Sequence, residues 1–154
     1  MTRLNRLIGL PVICGEKKLG RVSAVTIARD GGSLAGLTVR GGLGVAKWVP
    51  AEAILCLGAL CVLVRTEIGK GRGPKPFYPG RVSDTGGMRL GRITDARVDE
   101  GTLAVDALEI TFGPLDDLFV GRRWVRDFTI HPLTGDVVVP CEWAEIGANE
   151  DRCE

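Results

Sequence analysis

The sequence predicts an all-β protein of two small β-barrels in tandem, related by pseudo-twofold symmetry. Three observations carry this prediction: short apolar segments bounded by turn residues, 22 glycines and 8 prolines in 154 residues, and an internal repeat. A sheet of five or six short strands leaves unpaired edges, which closure into a barrel hides. We therefore expect small barrels rather than one open sheet.

An internal repeat runs through almost the whole chain. The motif Leu19-Gly20-Arg21-Val22 recurs as Leu90-Gly91-Arg92-Ile93 at an offset of 71 residues, and Trp48-Val49 recurs as Trp124-Val125 at an offset of 76. Ordered self-similarity of this kind indicates that one supersecondary unit has been duplicated. The change of offset by five residues indicates an insertion in the second copy, ahead of its tryptophan.

The composition between the copies changes to glycine, proline and basic residues, which is typical of a linker. We place the first barrel at residues 3–67, the linker at 68–76, the second barrel at 77–147 and an acidic tail at 148–154.

Turn residues bound the expected strands within each copy. The segments Asp30-Gly31-Gly32 and Asp99-Glu100-Gly101 each end one strand and begin its hairpin partner. The uncharged run at residues 53–64 is long enough for a buried helix, but the equivalent run in the second copy has a turn at residues 132–136. We therefore expect a strand, a turn and a strand there, and a helical turn only at residues 50–53.

The two halves of the chain differ in charge, although the net charge is only +1. Residues 1–76 carry 12 Lys/Arg against 4 Asp/Glu, a net charge of +8, whereas residues 77–154 carry 8 against 15, a net charge of −7. Such asymmetry indicates either an interaction role for one half or two units that attract each other. The sequence leaves both interpretations open.

The cysteines and the N-terminus indicate a cytoplasmic protein. The five cysteines are an odd number, and the apolar run Leu7–Ile13 is too short for an export signal and is interrupted by Pro11. We therefore expect free thiols in a reducing compartment. The apolar run at residues 53–64 is too short to cross a bilayer.

Both copies share an ordered pattern: a valine strand, an L-G-R-[VI] motif, an acidic turn, an apolar return strand and a Trp-Val pair. In the first copy these are Val12, Leu19–Val22, Asp30–Gly32, Leu37–Val39 and Trp48–Ile54; in the second they are Val82, Leu90–Ile93, Asp99–Gly101, Leu108–Ile110 and Trp124-Val125. This pattern resembles the PRC-barrel domain family over nearly all of residues 5–145. Pro50 departs from the pattern, because Arg126 stands in its place in the second copy.

The resemblance implies a small six-stranded barrel that serves as an adaptor. Such barrels occur in the reaction-centre H subunit, in the ribosome maturation factor RimM and in short bacterial proteins linked to sporulation. It therefore implies a stand-alone tandem member in the bacterial cytoplasm that binds an unidentified protein partner, needs no cofactor and is not an enzyme. A role in sporulation is a further expectation of the same resemblance, and self-association is a further expectation for the partners.

The residues themselves offer little catalytic chemistry. His131 is the only histidine, so a nucleophilic site would have no other imidazole base, and we expect it to be structural. Cys56 and Cys61 align with a proline and a valine in the second copy, which favours buried apolar cysteines over a metal site. The glycine-rich runs at 42–47 and 69–76 lack the complete spacing of a phosphate-binding loop. We therefore predict no catalytic residue and no metal site.

An RNA- or ribosome-associated factor is the alternative function. It would use basic residues of the first half. The candidates are Arg21, Lys47, Lys70, Arg72 and Lys75. Trp48 and Trp124 each follow a basic residue, so they could offer stacking platforms for bases, but we expect both in the core because each opens a strand.

The inserted loop at residues 112–123 is the predicted protein-binding site. It carries apolar residues among turn and charged residues, as partner-binding loops often do. The candidate contact residues are Leu115, Leu118, Phe119, Val120, Arg122 and Arg123. Leu118 and Phe119 would be the central anchors and the arginines the rim. The alternative is that this loop plugs the open end of its own barrel.

Overall fold

The computed structural model describes residues 1–65, 73–74, 80–113, 118 and 121–140. Most of the predicted linker and the whole of the predicted acidic tail lie outside these residues. The division of the chain into the domains given above stays a prediction.

The first half of the chain forms one six-stranded sheet. The chain begins with β1 (Thr2–Arg3) and α1 (Leu4–Leu7), continues through β2 (Pro11–Cys14), β3 (Lys17–Ile27), β4 (Leu34–Arg40) and β5 (Ala46–Pro50), and ends with a 3-10 turn (Ala51–Ala53), β6 (Ile54–Leu57) and β7 (Val62–Val64). The sheet order is β5-β4-β3-β2-β7-β6. Only β2 and β7 pair in parallel; the other neighbours are antiparallel.

The second half repeats this topology strand for strand. Its strands are β8 (Arg81–Asp84), β9 (Arg89–Val98), β10 (Val105–Thr111), β11 (Arg123–Val125), β12 (Thr129–Ile130) and β13 (Val137–Val139). The sheet order is β11-β10-β9-β8-β13-β12, again with one parallel pair, β8 and β13. The all-β prediction is confirmed, and each half forms a curled half-barrel sheet.

The local predictions made from the repeat agree with these elements. Residues 54–64 form β6, a turn and β7 rather than a helix, and the helical turn after Pro50 is present. The sequence did not predict α1, a four-residue helix that buries Leu4 and Leu7. Among the described residues, no helix has the length and apolar character needed to cross a membrane.

The glycine of the repeated L-G-R motif has the same structural role in both copies. A Cβ atom on Gly20 would collide with the carbonyl oxygen of Arg40, and one on Gly91 would collide with that of Thr111. The two colliding carbonyls are 71 residues apart, as the two glycines are. The motif therefore contains glycine because the strand passes very close to the end of its hairpin partner.

The two halves meet through a reciprocal backbone contact between their hairpin turns. The Leu34 N–H donates to the Leu103 carbonyl oxygen at 2.8 Å, and the Val105 N–H donates to the Gly32 carbonyl oxygen at 3.0 Å. Leu34 and Val105 are 71 residues apart, as are Gly32 and Leu103, so the two bonds are equivalent under the repeat. The contact is therefore isologous, as in a twofold dimer. Buried residues of both halves belong to one contiguous core cluster.

Substitution of Gly91 by alanine tests the close approach in the second copy. We expect Gly91→Ala to lower the free energy of unfolding by roughly 1–3 kcal/mol, because the new methyl group overpacks the Thr111 backbone. Gly42→Ala is the control: no atom lies within 4 Å of its Cβ position, and we expect a change below about 0.5 kcal/mol. Urea unfolding measures both, and equal losses would contradict this account.

Candidate functional site

The N-terminal arm, residues 1–7, lies on the sheet of the other half. Strand β1 pairs antiparallel with β9, with Thr2 opposite Val98 and Arg3 opposite Arg97. The following helix, α1, also contacts β9 and buries two leucines in the shared core. The second sheet therefore holds a distant chain segment as an added strand.

Arg3 of this arm lies between two buried carboxylates, which we call the acid pair, Asp95 and Glu109. These acids are directly opposite each other on β9 and β10, and their side chains are 0% and 6% exposed. The Arg3 Nε donates to Asp95 Oδ2 at 2.8 Å, and one Nη lies 3.1 Å from each Glu109 oxygen. The hydrogen bond to Asp95 raises the pKa of the Arg3 guanidinium further above its usual value.

Other groups around the acid pair provide further hydrogen bonds. The Asn5 backbone N–H donates to Asp95 Oδ1 at 3.0 Å, and the Thr94 hydroxyl donates to Glu109 Oε2 at 2.9 Å. Arg122 lies further out, with its Nη1 3.7 Å from Glu109 Oε2. Buried carboxylates are stable only when they are paired and hydrogen-bonded, and this arrangement provides both.

Trp124 completes this site on the outer face of the second sheet. The guanidinium carbons of Arg3 and Arg97 lie 5.3 Å and 4.3 Å from the ring centroid, which is cation–π distance. The ring is half-buried, whereas the neighbouring Val125 is fully buried. The prediction that this tryptophan lies in the core was wrong, because strand alternation directs the following valine inward instead.

Trp48 has a corresponding position in the first half, and the same prediction was wrong there. It is half-buried, and Val49 takes the core position beside it. A Cβ atom on Gly36 or on Gly73 would collide with the ring, so the ring packs against the backbone at both glycines. Gly73 lies in the predicted linker, 70 residues after Arg3, so the segment before the second copy covers Trp48 much as the arm covers Trp124.

The turn between β9 and β10 contains two further carboxylates, Asp99 and Glu100, and both have structural roles. Asp99 Oδ1 accepts hydrogen bonds from the backbone N–H groups of Thr102 and Gly101 and from the Thr102 hydroxyl, which together lower the pKa of Asp99. Glu100 accepts from the Thr2 hydroxyl at 2.6 Å and pairs with the terminal ammonium group at 3.0 Å. These interactions lower the pKa of Glu100 and fix the arm to this turn.

The predicted binding loop is described only in part. Leu118 is 77% exposed, and Arg123 lies over the Phe112 ring, its guanidinium carbon 5.7 Å from the ring centroid. Arg122 approaches Glu109, as described above. The remaining predicted contact residues, Leu115, Phe119 and Val120, lie outside the described residues.

The basic residues predicted for nucleic acid do not form one cluster among the described residues. Arg21 on β3 is exposed, whereas Lys47 on β5 is half-buried and is separated from it by β4. Lys70, Arg72 and Lys75 lie outside the described part of the chain.

His131 and the cysteines were candidate catalytic or metal-binding groups. The His131 Nδ1 accepts hydrogen bonds from the backbone N–H groups of Leu133 and Thr134, at 3.4 Å and 3.3 Å, so this side chain caps a turn. Cys61 is half-buried but Cys56 is exposed, which corrects the expectation that both are buried. Within the described residues, no group of three or more His, Cys, Asp or Glu side chains could hold a metal ion.

The fold and this site define a duplicated β-sheet protein in which one sheet holds an added strand. The family model of the PRC-barrel domain matches residues 1–59, which span the arm and strands β1 to β6. The family resemblance is therefore confirmed over residues 1–59, which make up most of the first copy. No curated protein matches the chain.

Removal of the Arg3 charge tests how strongly the arm is held. We expect Arg3→Met to lower the free energy of unfolding by about 2 kcal/mol, since it leaves two buried carboxylates without their main partner. Fully buried pairs lose roughly 3–5 kcal/mol, and solvent screening reduces this value because Arg3 is 39% exposed. Arg81→Met, which removes an exposed pair with Asp136, should cost at most about 1 kcal/mol. Similar losses in urea unfolding would contradict the assignment.

The lowered pKa of Asp99 predicts a dependence on pH. A depressed carboxyl pKa stabilises the fold above the ordinary value of 3.8 and ceases to do so as pH falls through the folded-state value. We therefore expect Asp99→Asn to lower Tm at neutral pH, with a difference from the parent protein that shrinks in acid. Asp127→Asn, at an exposed position, serves as the control. A difference in Tm that stays constant into the acid range would contradict this role.

Proposed function

We propose that this protein is a non-enzymatic adaptor of the bacterial cytoplasm that binds a protein partner. The observation that carries the proposal is the docking of the N-terminal arm on the second sheet. Strand pairing, a charged anchor and two buried leucines hold the arm there. Added strands anchored by side chains are a general way in which sheets recognise protein segments.

The family match supports the same function. The PRC-barrel resemblance implies an adaptor barrel, and residues 1–59 match that family. The repeated topology extends this proposal to a tandem protein, with a second PRC-like unit in the second half. The resemblance also suggests sporulation as a process, and self-association is a second proposed mode of binding.

The polar side chains described above already form hydrogen bonds and ion pairs within the fold, which favours a binding role over catalysis. His131 Nδ1 accepts from the backbone of its own turn, and Arg3 occupies the buried carboxylates. A general base needs a side chain directed at a reacting group. Groups that already serve the fold suit a structural scaffold better.

The proposed contact surface is the loop at residues 112–123. Leu118, which is 77% exposed, provides the apolar group that an interface anchor needs. Arg122 approaches Glu109 and Arg123 begins β11, so both follow the loop in sequence and would supply the rim charges.

The alternative function, an RNA- or ribosome-associated factor, finds less support in the geometry. Base stacking needs an aromatic face that is open to the nucleotide. Two arginines lie over the Trp124 ring, and glycine backbone packs against the Trp48 ring. A protein partner is therefore the better proposal.

A capture experiment tests both the function and the surface. We expect the full chain to retain a protein partner from a native cell extract, and Leu118→Ser to reduce capture about fivefold, as loss of an interface anchor does. The Tm should stay unchanged, because Leu118 is mostly exposed. Leu43→Ser is the matched control, since Leu43 is a loop leucine of the first half that is even more exposed than Leu118.

Each outcome addresses a separate part of the proposal. Equal loss of capture in the two leucine variants would reject the loop as the contact surface. Failure of the parent protein to retain any protein, together with a salt-sensitive shift of RNA, would instead favour the nucleic-acid function.

A further inference from the structure

Two arginines lie side by side on the first sheet, and we call them the arginine pair. Arg21 on β3 is directly opposite Arg40 on β4, and both side chains are exposed. Directly opposed residues of antiparallel strands share one face of the sheet, with Cβ atoms about 5 Å apart. Like charges in this arrangement destabilise the pair of strands. The fold therefore gains no electrostatic stabilisation from placing these two charges side by side.

The chain provides no carboxylate for the arginine pair among its described residues. Arg21 donates only to a backbone carbonyl, that of Gly9 at 2.9 Å, and no described acid lies within ion-pair distance of either arginine. The acids described in the first half are Glu16, Asp30 and Glu52, and each lies in a turn between strands. The positive charge of the arginine pair is therefore directed to solvent.

Several arginines of the second half, unlike the arginine pair, form ion pairs within the chain. Three of its arginines approach a carboxylate within the chain: Arg81 with Asp136, Arg122 with Glu109 and Arg126 with Asp106. At the repeat position of Arg40 it has Thr111, so the equivalent strands β9 and β10 carry no doubled charge there. The opposed arginines of the second copy, Arg81 and Arg92, lie on β8 and β9, and Asp136 pairs with Arg81. The arginine pair is thus a feature that the duplicated fold does not require.

The acid pair shows how this fold accommodates such an arrangement. Asp95 and Glu109 are also like charges directly opposed on neighbouring strands, and a single arginine from an added segment bridges them. The arginine pair has the same geometry with the opposite sign. Its complement is a carboxylate that two guanidinium groups can share.

We propose that the arginine pair binds an acidic segment of a partner protein. This inference rests on the proposed adaptor function and adds the chemical class of the ligand. A carboxylate of the segment receives hydrogen bonds from Arg21 and Arg40, and the +8 charge of residues 1–76 attracts the segment as a whole. RNA phosphates would satisfy the same arginines, but neither described tryptophan ring offers an uncovered stacking surface beside them.

A direct binding measurement with the full chain tests this proposal. The probes are fluorescein-labelled octaglutamate and, for comparison, octauridylate RNA, both measured by anisotropy at low salt. We expect the peptide to bind more tightly than the RNA, and Arg21→Ala with Arg40→Ala to weaken peptide binding about tenfold. The Tm of this double variant should change little, because relief of the like-charge contact offsets loss of the exposed hydrogen bond from Arg21 to the Gly9 carbonyl.

The second copy supplies the matched control. Arg81→Ala with Arg92→Ala removes the same charge from directly opposed residues of the other sheet, and it should change peptide binding less than about twofold. Equal weakening by the two double variants would overturn the proposal, because general electrostatic attraction would then explain it. Tighter binding of the RNA, with the same dependence on the arginine pair, would also overturn it.

The capture experiment separates this inference from the proposed function. Should the double variant retain the cellular partner as well as the parent protein does, the adaptor function stands and the arginine pair is excluded as its contact. Loss of capture together with loss of peptide binding supports both proposals. Failure of the parent protein to retain any partner rejects the function itself.

Discussion

The reciprocal hydrogen bonds between Leu34 and Leu103 and between Val105 and Gly32 are the contact on which the rest of this structure depends. Neither curled sheet is large enough to bury its inner face alone, since small domains bury little of their surface. Because each bond is the repeat equivalent of the other, one duplicated sequence supplies both sides of the junction. The junction joins the halves at their hairpin turns and lets their buried side chains form a single core.

The arm adds a second kind of connection, which sequence reasoning did not anticipate. Strands and hairpins were predictable because alternation, turn residues and the repeat report local structure. The helix α1 was not, because four residues cannot form a helix without tertiary packing. The site around Arg3 depends on Asp95 and Glu109, which are 92 and 106 residues away, and no local pattern connects residues so distant.

The tryptophans illustrate a different limit. Large aromatic residues that open strands are expected in a core, yet both rings lie on the outer face. Arginines cover the Trp124 ring there, and glycine backbone covers the Trp48 ring. The alternation of side chains along each strand predicts burial better than residue type does here, since it directs Val49 and Val125 inward. Residue type alone was misleading because the outer face is itself a contact surface in this fold.

Fusion of the two copies into one chain has a consequence for how such a fold can diverge. In a dimer of identical subunits, every substitution appears twice. A positively or negatively charged patch on one subunit therefore has a duplicate on the other. Within a single chain the copies vary independently, and position 40 carries arginine while its counterpart, position 111, carries threonine. Likewise Asp95 and Glu109 have Ala24 and Thr38 as counterparts. A symmetric scaffold can in this way present two chemically different faces without any change in its backbone plan.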